Sequence, residues 1–88
     1  MGKFNIRDFL NRIKWHPKEN PEDYEIVYVS RGEPNDKAIV NCKYIVKVYH
    51  RGFEYKRGSS IVYIPFHRII EIRKKSGKII FRSPRHSQ

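Results

Sequence analysis

Ile6, Phe9, Leu10 and Ile13 recur at i, i+3, i+4 and i+7, a spacing that gathers apolar side chains on one helical face and predicts a helix of about ten residues. Asn5 ahead of this stripe and Asp8 in its first turn make a cap: the Asn side chain accepts an orphan backbone N–H, and the acid faces the positive end of the helix dipole. Trp15-His16-Pro17 closes the helix, because Pro17 drives His16 out of the helical region. Trp15 reads as a core plug and His16 as a capping or loop residue. Lys18 to Asp23 is a polar loop.

Beyond the loop the apolar period shortens. Tyr24 to Ser30 is β-branched and aromatic and predicts a strand. Arg31-Gly32-Glu33-Pro34-Asn35-Asp36 predicts a compact turn: Gly32 permits positive φ, Pro34 presets φ, and Asn35 and Asp36 can bond local amides. Lys37 to Val40 predicts a short strand, Asn41-Cys42 a break, and Lys43 to His50 a longer strand. Arg51-Gly52 turns the chain into Phe53 to Lys56, and Arg57 to Ser60 turns it again into Ile61 to Ile64, stopped by Pro65, which has no amide for a central ladder. Phe66-His67-Arg68 predicts one helical turn, Ile69 to Lys74 a strand, Ser76-Gly77 a hairpin turn, and Lys78 to Arg82 the returning strand. One helix followed by five to six short strands implies an α+β fold, with the N-terminal helix packed on a curved antiparallel sheet or small open barrel. Residues 1–82 are expected to form a single domain, and residues 83–88, with nothing to bury, a mobile tail.

Composition narrows the function. The chain has 88 residues, room for one modest core and not for a cleft between two lobes. No apolar run is long enough to cross a bilayer, and the start has no signal-peptide stretch. One cysteine, Cys42, excludes an internal disulfide and a multi-cysteine zinc site, which fits a reducing, cytoplasmic setting. The formal net charge is +10, and it is unevenly placed. Residues 1–36 carry six basic and seven acidic groups, whereas residues 37–88 carry thirteen basic groups against only Glu54 and Glu71. Such an asymmetry focuses positive potential on one region and favours a polyanion, nucleic acid before membrane; lysine used only for solubility is the alternative.

Three clusters can carry chemistry. His16 at its rigid corner can donate to a phosphate oxygen. In the turn that follows, Gly32 lets backbone approach a ligand, and Arg31 offers a bidentate fork to phosphate. Asn35 can read a base edge or ribose hydroxyl, and Asp36 can orient a neighbour or accept from a 2′-hydroxyl. His67-Arg68 between strands, beside Phe66, suit an anionic, stackable ligand. Each cluster also has a plain reading as turn or surface chemistry. Basic and aromatic residues interleave around them: Lys47, Tyr49, Arg51, Tyr55 and Arg57 are expected as peripheral backbone or stacking contacts. No Gly-rich phosphate loop, paired-carboxylate site or metal-ligand spacing is present, so no cofactor or metal is expected.

WHP, RGxPND and IPxHR, in this order, resemble the motifs of a small archaeal family of uncharacterised proteins, over about Ile6 to Arg82. The family's domain also occurs fused in larger eukaryotic proteins and is predicted to recognise RNA ends carrying a cyclic phosphate. By position, His16, Arg31, Gly32, Asn35, Asp36, His67 and Arg68 match its polar motif residues. The resemblance implies a non-catalytic module binding a phosphorylated or cyclic-phosphate RNA end, with RNA, single-stranded or terminal, as partner and RNA-processing proteins nearby. Two other functions fit the same residues. One is a small RNA phosphodiesterase with His16 and His67 as acid and base. The other is a basic protein-interaction or ribosome-associated module, whose RNA binding would depend on salt and not on Arg31, His67 or Arg68.

Overall fold

The computed structural model describes residues 4–84. The first helix, α1 (Ile6–Trp15), starts where the pattern predicts: Asn5 Oδ1 accepts the Asp8 N–H at 3.0 Å. Phe9, Leu10 and Ile13 are buried, so the stripe is the face turned to the core. Trp15 is not part of it. The indole is 72% exposed, a correction to its reading as a core plug. Nine positions after Ile6, at about 100° per residue, it points away from the stripe. Lys14 Nζ lies 5.1 Å from its ring centroid.

Among the described residues seven strands follow, not five or six, and they form two open antiparallel sheets instead of one curved sheet or barrel. The first sheet has β1 (Tyr24–Val29), β2 (Lys37–Asn41), β6 (Ile69–Lys74) and β7 (Ile79–Arg82) in the order β2-β1-β6-β7. The second has β3 (Ile45–Val48), β4 (Gly52–Arg57) and β5 (Ser60–Pro65) in sequential order. Two single turns of 3-10 helix move the chain between the sheets. At Cys42–Tyr44, Asn41 Oδ1 accepts the Lys43 N–H at 2.9 Å while its Nδ2 donates to the Glu22 carbonyl at 3.0 Å. That doubly bonded Asn ends β2 and shortens the strand expected over Lys43 to His50 to four residues. At Phe66–Arg68 a second turn returns the chain from β5 to β6.

The core lies between the sheets and α1. Tyr24, Ile26, Tyr28, Val40, Ile69 and Ile72 face it from the first sheet; Ile45, Phe53, Tyr55 and Ile64 face it from the second. The far side of the first sheet is polar. Arg73 bridges Glu25 at 3.2 Å and Glu71 at 3.4 Å, and Arg82 reaches Glu71 at 3.2 Å, so alternation along β1 and β6 resolves into an apolar face and a charge-laced one. Ser83 donates its N–H to the Ile70 carbonyl at 2.8 Å, which ties the start of the expected tail to β6; residues 85–88 lie outside the described residues.

One glycine is required by close approach. Gly52 is buried beneath the Tyr63 ring, and a Cβ there would overlap that ring and come within 2.7 Å of the Ile64 carbonyl oxygen. Gly52→Ala is expected to lower stability in urea unfolding by roughly 1–3 kcal/mol through overpacking. Adding Tyr63→Ala should restore only part of that loss, because the carbonyl clash remains; an unchanged midpoint for the single variant would contradict this packing.

Candidate functional site

The site is built at the end of the first sheet where β1 leaves it. Between β1 and β2 the chain spans seven residues, and the loop bonds to itself. The Ser30 N–H donates to the Asp36 carbonyl at 2.9 Å, the Asp36 N–H to the Glu33 carbonyl at 2.8 Å, and the Glu33 N–H to the Ser30 carbonyl at 3.4 Å. Gly32 has φ +90, and two consecutive non-glycine residues, Asn35 (φ 60) and Asp36 (φ 55), are left-handed as well. Asn and Asp tolerate that region best among residues with a Cβ, yet each visit costs about 1–2 kcal/mol. The loop holds this strain in full exposure: Arg31, Gly32, Asn35 and Asp36 all face solvent. The amides of Arg31 and Gly32 are not among the donors of the loop's own bonds.

Beside the loop stands the turn Phe66–Arg68. The ladder between β1 and β6 ends at Tyr28 opposite Ile69, so the Val29 carbonyl has no β6 residue across from it. Arg68 supplies the missing donor: its Nη2 lies 3.0 Å from the Val29 oxygen. The half-buried guanidinium is thereby pinned one residue from Ser30, where the loop starts. His67 is exposed on the same turn. Arg51 adjoins it, since its carbonyl accepts the Phe66 N–H at 2.9 Å. The structure thus brings two of the three sequence clusters together, Arg31-to-Asp36 and His67-Arg68.

His16 is elsewhere. Its carbonyl accepts the Glu19 N–H at 3.0 Å, and Glu19 accepts the Tyr24 hydroxyl at 3.0 Å, which ties this corner to the start of β1. His67-Arg68 sit at the other end of that six-residue strand, a rise of roughly 17 Å. His16 Nδ1 is engaged locally, accepting the Lys18 N–H at 3.2 Å. His16 and His67 therefore do not flank a common phosphorus.

The peripheral residues divide as well. Lys47 and Tyr49 lie on the outer face of the second sheet, with Lys47 Nζ 5.0 Å from the Tyr49 ring centroid. The Tyr49 hydroxyl donates to Glu54 at 2.8 Å, a bond that raises its pKa. Tyr55 is corrected as a stacking contact: it is 4% exposed, because odd positions of β4 face the core. Its hydroxyl instead meets that of Tyr28 at 2.5 Å. Arg57, at the exposed end of β4, and Glu33 of the loop both act on the Tyr28 hydroxyl. Burial first, and then the bond to Tyr55, push that hydroxyl up to about 12. Two further aromatics of the same interleaved stretch, Tyr44 (47% exposed) and Tyr63 (46%), do face solvent, and Tyr63 shares its face with Glu54, its partner across β4 and β5.

What fold and site define is a small basic α+β domain that carries, at one end of its first sheet, an exposed turn-built surface with Arg31, His67 and Arg68. The chain belongs to the family whose model is described as "MJ1316 RNA cyclic group end recognition domain", which matches residues 4–82. It is 42% identical to the UPF0248 protein MJ1316 of Methanocaldococcus jannaschii, with 93% of this chain and 98% of that protein covered. It is 35% identical to a UPF0248 protein of Methanococcus vannielii over 88% of this chain and 89% of the relative, and 32% identical to one of Pyrobaculum islandicum over 85% and 84%. No solved structure matches the chain. Among the described residues no helix is long and apolar enough to cross a membrane.

Two buried groups, Tyr28 beneath the site and Cys42 beyond the opposite end of β2, give an alkaline signature. Tyr28 holds its proton to about 12 against an ordinary 10.0, and burial likewise pushes the Cys42 thiol from 9.0 to about 12. The folded chain keeps protons that the unfolded chain releases first, so these groups' contribution is complete below the unfolded values and lost as pH rises toward 12. Urea unfolding should give a stability that declines from pH 9 to 12, the Cys42 and Tyr28 windows in turn, with Cys42 resisting alkylation until the fold opens. Rapid alkylation of the native thiol at pH 8 would contradict the burial.

Proposed function

We propose that this protein is a non-catalytic RNA-binding module that docks a terminal phosphoryl group, the 2′,3′-cyclic phosphate or an open phosphate, at the end of the first sheet. The observation that carries the reading is the juxtaposition of the strained, exposed Arg31-to-Asp36 loop with an arginine pinned to the Val29 carbonyl. Arg31 supplies the mobile cation and Arg68 the fixed one, its orientation set before any ligand arrives, so little ordering entropy is lost on binding. His67 adds a donor from the neighbouring turn. Gly32 has open space where a Cβ would stand, so an anion can approach its backbone. Asn35 and Asp36 are placed to meet ribose hydroxyls or a base edge, and a 2′-hydroxyl is the group by which a protein tells RNA from DNA. The family description and the net charge of +10 support the same partner.

A cyclic phosphate bears one negative charge and an open terminal monoester up to two, so preference for the cyclic form must come from donor geometry, not from charge. The two-histidine phosphodiesterase has no comparable support, with β1 between its proposed acid and base.

The test is affinity for matched RNAs that differ only at the 3′ end. The cyclic-phosphate oligomer is expected to bind at least tenfold more tightly than the 3′-hydroxyl oligomer, and Arg31→Ala to lose about tenfold on the phosphorylated end alone, near the value of one charge-assisted bond. Equal affinity for all ends, or an Arg31→Ala loss shared equally by every RNA, would overturn end recognition and leave a nonspecific basic surface.

A further inference from the structure

A groove of about 890 Å³ runs from the Arg31-to-Asp36 loop across β2 and the neighbouring Val27, Ile70, Glu71 and Arg73 of β1 and β6 to the turn joining β4 to β5. Asn35 and Glu33 stand at its loop end, Lys56, Arg57 and Gly58 on its far wall, and Lys37 and Tyr44 along the β2 side. We propose that this groove takes the nucleotides next to the bound RNA terminus, as a single strand laid along β2; the inference rests on the end-binding reading above and extends it to the body of the strand.

Charge points to the occupant. The ion pairs of the described residues employ Arg7, Arg12, Lys43, Arg73 and Arg82. Lys37, Lys56 and Arg57, all exposed, are in none of them. Within the groove they face Glu33 as the one acid outside an ion pair, since the Glu71 that also borders it is held by Arg73 and Arg82. Three available cations along one cleft match successive phosphates better than they match a peptide strand added to the β2 edge, which would bury Lys37 for no return in charge.

Aromatic placement supplies the second element. Tyr44 is 47% exposed, and Lys43 Nζ sits 5.2 Å from its ring centroid on one side, held there by Glu22 at 3.6 Å. With about half of the residue open to solvent, the ring can receive a stacked base. Stacking of this kind is tolerant of sequence, which suits a module that reads an end and not a code.

A third element is a spare proton. Tyr28 and Tyr55 both border the groove, and their hydroxyls bond to each other, yet two hydroxyls hold two protons and one mutual bond uses one. Whichever tyrosine accepts keeps an unspent O–H donor. A ribose or base oxygen in the groove is its natural acceptor. The volume lies within the range that encloses a ligand of drug size, which corresponds to about two nucleotides.

The test is fluorescence anisotropy on the full chain with RNAs of one, two, three and six nucleotides sharing one cyclic-phosphate end. Affinity is expected to rise at least tenfold from one to three nucleotides and to level off beyond. Tyr44→Ala should abolish most of that gain while Tyr44→Phe preserves it, and Lys56→Ala with Arg57→Ala should reduce the salt dependence of log K by about 1.4, the value for two phosphates of a single strand. All three side chains are exposed, and a thermal melt checks that each variant is folded. Affinity independent of length, or length dependence untouched by both sets of substitutions, overturns the groove. If the cyclic end is still preferred under that outcome, end recognition stands alone; if length dependence persists without end preference, the groove stands and the terminal site fails. A peptide strand pairing with β2 and leaving RNA binding unaffected would likewise reject RNA as the occupant.

Discussion

The pairing of β1 with β6 fixes both the closure of the core and the geometry of the site. Tyr28 opposite Ile69 obliges the chain to return from the second sheet to the first in the three residues Phe66–Arg68. A single 3-10 turn spans that distance. It leaves the Val29 carbonyl beyond the last ladder residue, and an arginine side chain takes the place a strand amide would have occupied. A buried or half-buried carbonyl without a donor is costly, so Arg68 stabilises the sheet end and is immobilised by the same bond. Preorganisation of a cation is here a by-product of satisfying the backbone.

The same economy governs the charges. Acids on the outer face of the first sheet are matched by Arg73 and Arg82, and the pairs at α1 and the Cys42–Tyr44 turn take Arg12 and Lys43. Of the cations outside these pairs, Arg31, Lys37, Lys56 and Arg57 lie where β1 and β4 end and β2 begins, while Lys74, Lys75 and Lys78 lie at the turn between β6 and β7. Exposed pairs of this kind contribute little to stability. Their larger effect is on the field, since each pair cancels positive charge where it forms.

Strain and burial meet at the same place. Two left-handed non-glycine residues persist because the loop's internal bonds and its flanking strands over-determine them. Under the loop, Tyr28 and Tyr55 join the two sheets through their hydroxyls within an otherwise apolar core. The polar contact between the sheets therefore lies beneath the strained loop.

Local pattern settled much of this protein before any coordinates. The α1 stripe and its Asn5 cap, the strand over Tyr24–Val29, the single turn over Phe66–Arg68 and the final hairpin all follow from interactions within a few residues, and so they were legible in the sequence. The motif residues Arg31 to Asp36 and His67-Arg68 were legible for the same reason: turn chemistry is local. The partition into two sheets was not, because it depends on Asn41 bonding to Glu22, nineteen residues away, and on Phe66–Arg68 delivering β6 to β1. Nor was the division of the aromatics legible. Tyr55 inward and Tyr44 outward are decided by which face of a strand meets the core, a long-range fact. Placement of His16 apart from His67 followed the length of β1 and no property of either histidine. The chain's own chemistry determined which groups are available; tertiary structure decided which of them stand together, since only packing converts separation along the sequence into distance.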